Sequence, residues 1–287
     1  TVDTPADWYG ILDNAGEQEP ECTYRIAHFK TSSTDADAQA ALLNYNDYKH
    51  YVEHFNTMED ENIVQAIPNE QSAEWMQENI PLFECPQRSF EEMFYYRWWT
   101  LRKHIKETPV GYGMTEFLVN RSYADQYNLI ACATGHHIYE SRWLHNQDYL
   151  NQIIHTWYRG NEGGPMKKMM NFSSWNPDAL IARYLVNGDK NFLLDMKDDL
   201  VQEYNRWETT HRLPNGLYWQ GDVQDGMEES ISGGRKKQYA RPTINSYMYA
   251  DAVALSQMAE MLGRKSEAGH FRIKADELRK NFLWKIW

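Results

Sequence analysis

The stretch Pro177-Asp-Ala-Leu-Ile-Ala-Arg-Tyr-Leu-Val186, Asn187-Gly188-Asp189, Lys190-Asn-Phe-Leu-Leu-Asp-Met196 decides the fold. Apolar residues recur at helical spacing on both sides of a three-residue turn, and the turn carries the residues that stop one helix and start the next. Glycine tolerates the left-handed backbone that ends a helix, and aspartate caps the following one. The segment therefore predicts an antiparallel helical hairpin over 177–186 and 190–209. Two further pairs repeat the arrangement. Predicted helices 126–144 and 148–159 are joined at His145-Asn146 and stopped by Gly160; 245–262 and 266–286 are joined by Gly263-Arg264-Lys265. Between the pairs run two irregular segments, 160–176 and 210–243, and long loops in a helical domain are usually functional. Short turns at one end and long loops at the other predict an all-α fold, an (α/α) toroid of helical hairpins with a cleft at the long-loop end. No strict repeat period accompanies it.

Upstream, residues 1–36 read as an irregular N-terminal arm and 37–287 as the toroid domain. A helix is expected over 37–55 and another over 72–79. Ser89-Phe-Glu-Glu92 forms a capping-box pattern opening an aromatic helix through Ile105, and a short strand is expected over 114–119.

Composition narrows the function. The 287 residues carry a formal charge of −12, which repels nucleic acid and anionic membranes. No apolar run is long enough to span a bilayer. Eleven Trp and 19 Tyr accompany a mean hydropathy of −0.75, and amphipathic rings in a polar chain suit clefts that stack sugars. The three cysteines form no CxxC pair, which excludes a cysteine-rich zinc site; Cys22 and Cys85 could bridge in an exported protein. Without a GxGxxG element there is no nucleotide-cofactor signature, and no cofactor is expected.

Chemistry concentrates in Asp222-Val-Gln-Asp-Gly-Met-Glu-Glu-Ser230, four carboxylates in eight residues after the aromatic turn Leu217-Tyr-Trp219. One acid to protonate a leaving oxygen, a second carboxylate to activate water, and rings to hold sugar faces are the equipment for glycosidic cleavage. Solvated acids in a Gly-containing loop are the plainer alternative. Adjacent His136 and His137 point about 100° apart on a helix and cannot share one metal ion, so no metal site is expected; one of them could face the cleft.

Pro214-Asn-Gly-Leu-Tyr-Trp219, Asp225-Gly-Met-Glu-Glu229 and Arg241-Pro-Thr-Ile-Asn-Ser-Tyr-Met-Tyr249 resemble the (α/α)6-barrel glycoside hydrolases of the trehalase, processing α-glucosidase and mannosylglycerate-hydrolase-like superfamily. Phe94-Tyr-Tyr-Arg-Trp-Trp99 and Trp175-Asn-Pro-Asp178 fit the same group, over roughly residues 90–287. The resemblance implies a glycosidase, exo-acting and inverting, acting on an oligosaccharide or glycoside. It places the general acid two residues after the glycine, at Glu228, where many relatives have Asp, with Asp225 and Glu229 as flanking candidates. Substrate contacts are expected from Trp219, Tyr218, Trp175, Arg97, Trp98, Glu116, His137 and Asn245, the last also as a helix cap. One of Trp98 and Trp99 is expected in the core. These relatives take their base from the last part of the barrel, so the chain reads as the first portion of a longer one. A start without Met suits a processed protein, and a secreted or periplasmic location is expected. The competing class is a non-hydrolytic sugar protein of the same shape, an epimerase, lyase or binding module, with His136, His137 or His211 in the cleft.

Overall fold

Aromatic packing organises the first part of the chain. The computed structural model describes residues 25–26, 43–63, 65–226 and 237–286. β1 (Arg25–Ile26) precedes α1 (Lys49–Asn56), which follows a 3-10 turn at Tyr45–Asp47; α2 (Ser72–Asn79) lies where expected. β2 (Phe83–Glu84) pairs antiparallel with β1, and α3 (Arg88–His104) packs across α1 and α2. Tyr51 and Tyr95 stack at 5.5 Å between ring centroids, and Phe55 tilts against Trp99 at 5.8 Å. Such contacts gain energy beyond the area they bury.

Three expectations fail here. The first helix starts at Lys49, behind the 3-10 turn, and residues 37–42 lie outside those described. The capping box does not form, because α3 begins at Arg88 and Ser89 therefore lies inside the helix. Fully buried, Glu91 accepts hydrogen bonds from the Tyr51 hydroxyl (2.8 Å), the Cys85 N–H (3.0 Å) and Arg88 (2.6 Å). The strand lies earlier than 114–119: α3 runs directly into β3 (Ile105–Thr108), which turns at Pro109-Val110 and returns as β4 (Gly111–Met114). Gly111 takes a φ of 118°, a conformation open to glycine alone at little cost.

The expected helix over 126–144 is also broken. Tyr127 and Asn128 adopt φ of 61° and 65°, and the Asn128 side chain donates to the Phe117 carbonyl (2.7 Å) while accepting from the Arg121 N–H (2.7 Å). Tertiary bonds thus hold 115–128 as a folded loop, and only α4 (Thr134–Ser141) is α-helical there. The rest follows the hairpin reading closely: α5 (Asp148–Arg159), α6 (Asn176–Asn187), α7 (Lys190–His211), the short pair β5 (Trp219–Gln220) and β6 (Tyr239–Ala240), then α8 (Pro242–Met261) and α9 (Lys265–Lys285). Gly188 ends α6 at φ 67°, donating to Tyr184 at 2.7 Å, and Asp189 caps α7 by accepting from the Phe192 N–H at 3.1 Å. α4, α6 and α8 are successive neighbours, with α7 and α9 packed outside them, which is the layering of a toroid. Their shared core includes Trp157, Trp207, Met248 and Phe271. Among the described residues every strand pair is antiparallel and two-stranded. The two long loops lie at one end, since the Ser173 N–H donates to the Gln224 carbonyl at 2.9 Å. At the far end of α9, Leu283 and Trp284 are exposed.

Gly135 lets the loop before α6 approach α4. A Cβ there would lie 2.7 Å and 2.8 Å from carbons of the Trp175 ring, and that ring is flanked by His136 and Tyr247. Gly135→Ala is therefore expected to destabilise the fold by about 1–3 kcal/mol in urea unfolding, overpacking outweighing alanine's better helix propensity. A gain in stability would show that Trp175 can move away.

Candidate active site

A cleft of about 460 Å³ opens between α3, the end of β4 and α4, within the range of roughly 300–1,000 Å³ typical of ligand sites. Arg97 stands at its rim on α3 and forms an ion pair with Glu140 on α4. Glu116, on the loop that Asn128 and Thr115 tie down, also lines the cleft. Both His136 and His137 line the cleft, although only one was expected there. They lie in the first turn and a half of the eight-residue α4.

Burial dominates the electrostatics. It pushes the fully enclosed His137 down to about 3, and lowers His136 and His104 as well. All three imidazoles are neutral near pH 7. Glu116 shifts the other way, upward, by partial desolvation of a carboxylate that remains exposed. Both follow from the cost of a charge in a low-dielectric setting.

From His136 the site continues along a row of rings. Trp175 meets His136 edge-on at 4.5 Å and tilts against Tyr247 at 4.7 Å. Tyr247 lies close enough to Asp225 for that carboxylate, after burial itself, to help raise its phenol pKa. Asp225 is buried and accepts a hydrogen bond from the Ser173 hydroxyl at 2.5 Å. Burial raises its pKa to about 6; the hydroxyls of Ser173 and Thr243 and the backbone N–H groups of Ile244 and Thr243 pull it back. The carboxylate thus caps the open N–H groups at the start of α8, where the helix dipole favours negative charge. Asp222 is likewise committed, to a buried ion pair with Arg241.

Beneath this lies a second acidic layer that the sequence pattern did not reveal. Glu203 on α7 accepts from the Tyr158 hydroxyl, from Asn176 Nδ2 at 3.1 Å and from Ser174 Oγ at 3.3 Å. Burial raises its pKa to about 7, against those three donors. Asp251 on α8 is also fully enclosed; burial first, and then the Glu203 charge, push it well above the usual carboxylate range. It accepts from the Asp178 N–H at the start of α6 (3.2 Å), while Asp178 holds the Tyr139 hydroxyl (2.7 Å).

Several expected contacts change role. Tyr218 is core: its side chain is buried and its hydroxyl donates to Glu208. Trp98 is core too, packed edge-on against Phe94 at 6.2 Å, and so is Trp99, which donates to Asn56 at 2.8 Å. Asn245 does not cap a helix, because α8 begins at Pro242. Its buried amide instead clamps Tyr218, accepting from that residue's N–H and donating to its carbonyl, each at 2.8 Å. Trp219 is half-buried and stacks on His211 at 4.4 Å, outside the residues lining the cleft. Arg97, Glu116, His137 and Trp175 are brought together as one site. Glu228 and Glu229 lie outside the described residues, as does Cys22; Cys85 is a free thiol. Ser173, Glu140 and Tyr247 were missed, since only loop contact makes them part of the site. No described group of three or more His, Cys, Asp or Glu is placed to hold a metal ion.

Residues 126–287 match the family described as "Mannosylglycerate hydrolase MGH1-like glycoside hydrolase domain". The chain belongs to this family. A solved structure named "Sialidase" superposes on all of the chain with a TM-score of 0.85 at 70% identity, over 26% of that structure's own length. The chain thus spans about a quarter of that neighbour. None of the curated proteins matches.

The enclosed Glu203 makes stability pH-dependent. A carboxyl raised from 4.5 to about 7 binds a proton more tightly in the folded state, so the stability it adds is full below about 4.5 and is lost as pH rises through about 7. Glu203→Gln is expected to flatten the fall in melting temperature between those pH values. An unchanged slope would assign the fall to other groups.

Proposed function

We propose that the chain carries the acid half of a glycosidase that is exo-acting and inverting, with Glu228 as the general acid. One observation carries this reading. Of the four carboxylates in 222–229, Asp222 is neutralised by Arg241, and Asp225 holds Ser173 through Oδ1 while its buried Oδ2 has no hydrogen-bond partner among the described residues. Both anchor the loop, and Glu228 and Glu229 remain for chemistry. Glu228, two residues after the left-handed Gly226 (φ 71°), is the position at which the resembling enzymes carry their acid. It would protonate the departing oxygen while a second carboxylate activates water on the opposite face of the sugar. Asp225 is then a positioning residue, and the rings of Trp175 and Tyr247 form the platform between acid loop and cleft.

The alternative, proton shuttling by paired histidines, finds His136 and His137 both at the cleft. Burial leaves His137, at about 3, too weak a base to remove a proton from a sugar carbon near neutral pH. Hydrolysis is the better supported reading. The neighbour's name belongs to a protein of which this chain matches about a quarter, so it does not fix the sugar.

In the full-length enzyme, Glu228→Gln is expected to lower turnover of alkyl glycosides by about 10²–10⁴ while leaving binding nearly intact, because the amide keeps the shape but has no proton to give. Activated aryl glycosides, whose leaving groups need little protonation, lose less. Asp225→Asn costs less turnover than Glu228→Gln. Equal losses on both substrate types, measured by initial rates, would move the proton to another residue.

A further inference from the structure

The charge balance of the cleft bears on which sugars it admits. Among its described lining residues Arg97 is the one Lys or Arg, and its charge is answered by Glu140 across the rim. The imidazoles of His104, His136 and His137 are neutral near pH 7. Glu116 is left as the unbalanced charge, and it is negative. The hydrogen-bonding inventory points the same way. His104 is occupied, donating from Nδ1 to the Thr115 carbonyl at 2.7 Å. His137, only 9% exposed, has its Nδ1 buried with no partner. Neither imidazole adds a positive charge to the cleft for a carboxylate to pair with.

We propose that this cleft receives an uncharged sugar ring and that Glu116 is the residue that turns away sugars bearing a carboxylate. The proposal rests on the glycosidase reading and deepens it. A sugar carboxylate entering here meets no free cation among the described residues and sits beside a like charge, an arrangement that discriminates strongly against the wrong ligand. Because burial raises the Glu116 pKa, the repulsion fades as pH falls, whereas the sugar acid stays ionised until far lower pH.

The test is calorimetric binding to the full-length enzyme of matched pairs that differ only at C6, methyl glucosides against methyl glucuronides and methyl galactosides against methyl galacturonides. The neutral member is expected to bind at least about tenfold more tightly near pH 7.5, the gap to shrink to about threefold or less in Glu116→Gln, and in the wild type to narrow as pH is lowered. A uronide that binds as tightly as its neutral partner, or a gap that Glu116→Gln and low pH leave unchanged, overturns the proposal. Preferential turnover of a uronide would overturn it while leaving the glycosidase reading intact. Absence of both binding and turnover for every member of a panel extended to mannosides and arabinofuranosides would sink both.

Discussion

The junction at Asp225 is the constraint on which the rest of the site depends. Two long loops from different hairpins have no reason to meet unless something satisfies their backbone groups away from regular structure. Here one carboxylate does so. It takes the Ser173 hydroxyl from one loop and the open N–H groups of α8 from its own side, while the Ser173 N–H reaches the Gln224 carbonyl. Burial penalises the charge and those donors stabilise it, which is why its pKa settles near 6. With the junction formed, the acid loop leaves from a fixed point beside Tyr247 and Trp175.

The same trade runs through the layer below. Glu203 and Asp251 are enclosed between α6, α7 and α8, where apolar residues of similar size would cost less to bury. What they provide is orientation: Glu203 draws Ser174 and Asn176 inward, and Asp251 meets the Asp178 N–H. The segment 174–178 is thereby held from inside, and Trp175 is turned outward onto α4. Gly135 completes the arrangement by leaving room for the ring. A glycine, a serine and two hidden acids thus decide where one tryptophan stands.

Helix ends and turns were the most legible features. The limits of α2 and α5 match the sequence reading residue for residue, and α6 to α9 differ by a few residues, because caps, glycines and amphipathic spacing act locally. The failures share a cause. The capping box at Ser89-Glu92 gave way to a helix that starts at Arg88 and places Glu91 against Tyr51 and Cys85, and the 126–144 segment lost half its helix to bonds between Asn128 and the 117–121 backbone. In both places distant partners outbid a local preference.

By itself the sequence determined the hairpins, the all-α class, the crowding of acids at 222–229 and the resemblance those motifs carry, since each depends on residues near one another in the chain. Tertiary structure decided which aromatic side chains are core and which are site. Tyr218, Trp98 and Trp175 look alike as letters, but burial on all sides removes the first two and leaves Trp175 half open between His136 and Tyr247. It also decided how Asp222 and Asp225 are held, because whether a carboxylate meets an arginine or a loop hydroxyl depends on what lies across the fold. Asp222 meets Arg241 and Asp225 Oδ1 meets Ser173, and spacing along the chain cannot show that.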